Sequence, residues 1–258
     1  MLVVAAFLAP TVGSLLSEQT SGRMLAQAGA SQFLMSAPAG LPTSRVDRTM
    51  AQLEKAYTSL STTWGIADDD SPVPVQLYTD VFENPSKINE HRSVAGAVRC
   101  TATGPEILLA AEETGTLEPS SVPRHEIVHA MMCEALGQSL MNLIPRWFHE
   151  GTATYYENDG WRDMPNRSAR RLHVWLSRDS LLEPAEFCGY FSDQLPSQVS
   201  MFYATAGEFV EELVQRYSPD VIPDVAFKTA ETMDFERAFS DVTGSICTRI
   251  YAEWIAGF

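Results

Sequence analysis

His125 and His129 stand four residues apart in VPRHEIVHAMMCEALG, residues 122–137, with Glu126 beside the first. On a helix, positions i and i+4 share one face, one turn apart. Two imidazole nitrogens so placed can reach a single ion at about 2.0–2.1 Å. Glu126 projects about 100° around the axis from His125. It stands beside an ion held by the pair, where a carboxylate can take a proton from water. A catalytic zinc usually keeps three protein ligands and a water. Glu150 follows His129 by twenty-one residues and opens a second helical stretch. The short segment 138–144 lets that stretch fold back on the first. His149 adjoins Glu150 but points about 100° away from it, so both cannot face one ion. Cys133 continues the i, i+4 series, yet it lies roughly 12 Å along the axis from His125 and reads as a packed thiol.

These side chains need helices to carry them and a core to hold the helices. Pro123 suits a first helical turn and Gly137 a stop. A second helix starts after Pro145, carries RWFHEGTATYYE, and ends by Asn158-Asp159-Gly160. Upstream, Val46, Met50, Leu53, Tyr57 and Leu60 recur at helical spacing and predict an amphipathic helix over 46–63. Residues 73–79 alternate Val73, Val75 and Leu77 as a half-buried strand does. Residues 94–102 and 106–112 read as two more strands around Thr103-Gly104-Pro105. Either one, at a sheet edge, could take a substrate backbone by strand addition. Further helices are predicted over 166–177, 198–218, about 233–240 and 244–257. Strands first and helices second give an α+β fold. The expected architecture is a small mixed sheet with a helix over 46–121, a mainly helical half over 122–258, and the active site between them.

Composition narrows the partners. The net charge is −15 over 258 residues, with no Lys/Arg run. Nucleic-acid binding needs clustered basic residues, so the charge argues against it. Residues 1–16, MLVVAAFLAPTVGSLL, are almost wholly apolar. They are too short for a membrane span of about 20 residues and suit a signal-peptide core, although Arg23 is the first basic residue. Ala26-Gln27-Ala28 has the form of a cleavage site. The expectation is an exported protein, secreted or periplasmic, with a leader and linker over 1–45. The four cysteines, Cys100, Cys133, Cys188 and Cys247, form no CxxC pair. Three disulfide pairings, or four free thiols, are open to them.

The chain also resembles a known family. RHEIVHA followed by IPRWFHEGTATYYE is similar to the gluzincin zinc metallopeptidases, in the peptidase-MA-like, collagenase- and aminopeptidase-related branch. The metzincin spacing HExxHxxGxxH does not fit, because Met132 and Ala135 occupy its glycine and last-histidine places. FYATAGEFVEELVQRY and FERAFSDVTGSICTRIYAEWI resemble later segments of the same branch, so residues 46–258 can be placed. The resemblance implies zinc on His125, His129 and Glu150, Glu126 as general base, and Gly151 allowing those two helices to approach closely. It suggests Tyr203 as the hydrogen-bond donor to the oxyanion, with His173 in reserve. No G-x-M-E-N strand precedes the zinc helix, only VAGAVRCTATGPEI, which turns the reading from aminopeptidase to endopeptidase. The expected activity is zinc-dependent hydrolysis of a peptide or protein substrate. The alternative is a non-catalytic, exported, zinc-stabilised binding module of the same fold; a third reading makes the histidines structural, with no metal.

Overall fold

The computed structural model describes residues 23–26, 32–66, 72–79, 96–110, 121–157, 181–189 and 199–257. The apolar run 1–16, the helix expected over 166–177 and His173 lie outside the described residues. The fold is α+β: a small mixed sheet with a helix, then a mainly helical portion. The chain forms two compact units: among the described residues, the second takes 62–66, 100–104 and everything from Val128 on, and the first takes the rest.

The sheet has five strands: β1 (Arg23–Ala26), β2 (Phe33–Pro38), β3 (Val73–Tyr78), β4 (Gly96–Thr101) and β5 (Gly104–Ala110). Their order across the sheet is β1-β2-β3-β5-β4. β1 pairs antiparallel with β2, while β2, β3 and β5 run parallel. Only two residues join β4 to β5, a link that antiparallel neighbours alone can use. Parallel β2 and β3 need a crossover. Helix α1 (Thr43–Trp64) supplies it. Val46, Met50, Leu53, Tyr57 and Leu60 are all buried, as their spacing predicts, and the Tyr57 ring meets Phe33 of β2 edge-on. Ile107, Leu108 and Leu109 are buried in succession, so both faces of β5 are covered.

Two strands correct the linker part of the expected leader and linker over 1–45. β2 lies inside the sheet, with Phe33, Met35 and Ala37 buried. It is short, and Ser, Gly, Ala and Pro flank it, which hides its alternation. β1 contains Ala26, so removal of a leader at Ala26-Gln27-Ala28 would take that strand from the sheet.

The helical part begins with α2 (Ser121–Met141) and α3 (Arg146–Tyr156). Gly137 breaks α2 with φ 71°, ψ 165°, where the sequence places its stop, and helical turns resume to Met141. Then come α4 (Pro184–Cys188), α5 (Val199–Arg216), α6 (Val221–Thr232), α7 (Phe235–Thr243) and α8 (Cys247–Ile255). α4 and α6 escape the sequence reading: the first spans five residues, under two turns, and the second carries Pro223 in its first turn. Asp234 caps α7 by accepting a hydrogen bond from the Arg237 backbone N–H, and Gly244 ends it with positive φ.

Trp147 of α3 is the hub of this unit. The rings of Phe148, Phe187, Phe209, Phe235 and Phe239 all lie 5.0–6.0 Å from it. Aromatic side chains bury large areas in defined geometries, so this cluster fixes the rotation of α3. Backbone contact fixes its position. A methyl group at Gly151 would lie 2.6 Å from the Ala206 carbonyl oxygen, and one at Gly207 would lie 2.8 Å from Thr154 Cγ2. Gly151 therefore allows close approach to α5, not to α2 as the resemblance implies.

All four cysteines are paired. Cys100 at the end of β4 is bonded to Cys133 on α2, and Cys188 on α4 to Cys247 on α8. The reading of Cys133 as a packed thiol is corrected: its helix face meets Cys100, 33 residues upstream, a proximity that local spacing does not encode.

Candidate metal centre

Two helices present the chemistry. His125 and His129 occupy successive turns of α2 before its break at Gly137. Glu150 follows one turn into α3, which starts after Pro145. Between the helices, the Leu143 and Ile144 amides bond back to the Leu140 and Met141 carbonyls, and Ile144 is buried. This tight turn reverses the chain within four residues, 142–145. His125, His129 and Glu150 each offer one ligand atom, and these atoms lie within 4.8 Å of one another. Among the described residues, this is the group of three His, Cys, Asp or Glu side chains able to hold a metal ion.

The spacing of the His129–Glu150 pair suits a shared ion. His129 Nε2 lies 3.4 Å from Glu150 Oε2. An N–H···O bond usually spans about 2.7–3.2 Å, so 3.4 Å is long for one. Two ligands at about 2.0–2.1 Å from a tetrahedral ion stand about 3.3–3.4 Å apart, which matches. The donor set, two imidazoles and one carboxylate, is one that zinc accepts. The two histidines are half-buried and Glu150 is buried, which leaves the histidine side open to solvent.

The other oxygen of Glu150 is engaged elsewhere. Arg146 lies one turn earlier on α3, and its guanidinium NH2 is 3.1 Å from Glu150 Oε1. His149 lies outside the triad: its Nδ1 is 3.8 Å from Oε1, and its ring meets His129 edge-on at 5.5 Å. Tyr203 of α5 reaches the same place, accepting a hydrogen bond from Arg146 and donating one to Glu150. Burial pushes the Tyr203 hydroxyl well above the usual phenol range, the Glu150 carboxylate adds to the rise, and Arg146 opposes it. Tyr203 is therefore a neutral hydroxyl that can donate.

Glu126 is buried on the neighbouring flank of α2. Strand β4 passes so near that a methyl group at Gly96 would lie 2.6 Å from Glu126 Oε1 and 2.7 Å from its Cγ. Position 96 therefore has no room for a side chain while Glu126 keeps this place. Gly96 and Arg146 are the two residues that the sequence reading misses. Arg146 has a local signal, because a basic residue four before a carboxylate pairs with it on a helix. Gly96 has none, since its neighbour is thirty residues away.

The chain matches no known sequence family, and no curated protein matches it. A solved structure of an aminopeptidase N family protein from Idiomarina loihiensis is similar, with 13% identity and a TM-score of 0.46. The alignment covers 82% of this chain and 42% of that one, so the chain spans less than half the length of that relative. At this level the likeness assigns no activity.

Proposed function

We propose that this protein is a zinc-dependent peptide-bond hydrolase, with residues 46–258 as its catalytic domain. The observation that carries the reading is the convergence of His125, His129 and Glu150 within 4.8 Å, with buried Glu126 next to the first histidine. His125, His129 and Glu150 would hold the ion. Zinc, when bound, would polarise the scissile carbonyl and make a nearby water more acidic. Glu126 takes a proton from the attacking water and returns it to the leaving nitrogen, so the carboxylate ends each turnover as it began. Tyr203 would turn its one O–H proton from Glu150 to the oxygen that gains charge as the carbonyl is attacked.

The substrate in this reading is a peptide or protein, cut internally. The protein works outside the cytoplasm, in keeping with its two disulfides, which form and persist in oxidising compartments. The binding-module alternative has no specific support, since a site that only holds zinc needs no buried carboxylate beside it. A peptide-library digest with and without a chelator, run alongside Glu126→Gln, tests the proposal. Chelator-sensitive cleavage that is lost in the zinc-loaded variant supports it. Zinc binding with no cleavage by the wild type contradicts it.

A further inference from the structure

A carboxylate has two oxygens, and Glu150 uses them differently. Oε2 faces His129 Nε2 at 3.4 Å, while Oε1 is held by Arg146 at 3.1 Å. Both members of this pair are largely buried, with side chains 16% and 8% exposed. Burying a lone carboxylate is unfavourable, and the guanidinium offsets that before any metal arrives. Arg146 also donates to the Tyr203 hydroxyl, so one planar group touches a ligand and the hydroxyl beside it. A guanidinium can make two such contacts in fixed directions, whereas an ammonium acts as a point charge.

The geometry points to Arg146 as the positioning residue of the metal centre: it turns one Glu150 oxygen toward the histidine pair and holds the other, with Tyr203, in place. This inference rests on the reading of the triad as a zinc site. Two effects of Arg146 oppose each other. Its positive charge repels a divalent ion, and its hydrogen bonds preorganise the ligand. Groups that hydrogen-bond to metal ligands typically contribute about 10–100-fold to affinity, so preorganisation wins. Arg146 is a positioning residue and not a ligand, because it presents only donors.

The test measures zinc dissociation constants by competition with a chromophoric chelator for wild type, Arg146→Met and Arg146→Lys. The metal-free forms are compared by circular dichroism. Arg146→Met is expected to bind zinc about 10–100-fold more weakly, with Arg146→Lys between it and wild type. The visible spectrum of the cobalt(II)-loaded Met variant should also change, because Glu150 is then free to bind through both oxygens. A general loss of packing would not produce that change in a folded variant. Should Arg146→Met fail to fold, Arg146→Lys keeps the buried charge and is read by the same two measurements. Wild-type affinity together with an unchanged cobalt spectrum in the folded variants overturns the inference alone. A wild type that binds no zinc overturns the reading of the site, and the inference with it.

Discussion

Glu126 and Glu150 are both buried carboxylates, and the regions around them are built differently. Around Glu150 the nearby groups are polar or charged: Arg146, His129, His149 and Tyr203 all stand within reach of it. Its helix is fixed by the Trp147 cluster and by backbone contact at Gly151. Near Glu126 a strand backbone comes close, because residue 96 has no side chain. The contrast fits the two proposed roles. A ligand must be ionised and held in one orientation, which a guanidinium and a rigid helix achieve. A group that accepts and returns a proton needs its position restricted, which the close approach of β4 at Gly96 does.

The largest expected effect separates the two carboxylates. Glu126→Gln should lower turnover by about 10²–10⁴-fold with zinc content unchanged. Parallel metal analysis and peptide cleavage would show this, and loss of zinc in that variant would break the contrast. Next in size is the crosslinking of the scaffold. Reducing Cys100–Cys133 and Cys188–Cys247 should remove about 2–4 kcal/mol each, read as a lower melting temperature with reductant. The first bond ties β4, the strand beside Glu126, to α2. Its loss through a Cys100→Ser, Cys133→Ser double variant should therefore lower turnover as well as stability. Loss of Cys188–Cys247 should lower stability alone.

The two glycines sharpen the contrast at smaller amplitude. Gly151→Ala sets a methyl group against the Ala206 backbone, which cannot give way. It should destabilise the fold by about 1–3 kcal/mol in denaturant titration. Gly96→Ala sets a methyl group 2.6–2.8 Å from Glu126 Oε1 and Cγ and from Val122 Cγ1, so these side chains must shift. Stability should fall by about 1–3 kcal/mol. Displacing Glu126 should also lower kcat about tenfold with KM little altered. A Gly96→Ala protein with wild-type kcat would contradict the close approach of β4 to Glu126.

What could be read from the sequence was what repeats locally. Helical spacing finds α1, α2, α3 and α5, and alternation finds β3, because each pattern lies within one element. The His125, His129 and Glu150 group was legible for the same reason: two ligands share a helix and the third follows a short turn. β2 and α4 are too short to display a period. The Cys100–Cys133 bond and the Gly96–Glu126 contact join residues about thirty positions apart, so no window of sequence contains either one. Arg146 stood in plain sight four residues before Glu150. It gains meaning only once Glu150 is seen to be buried and to share it with Tyr203.

Zinc stoichiometry tests the central claim most directly. The wild-type chain, dialysed against buffered zinc, should retain one equivalent, and Glu150→Ala should retain little under the same conditions. A Glu150→Ala protein that keeps a full equivalent at wild-type affinity would show that the imidazole pair and this carboxylate do not share an ion.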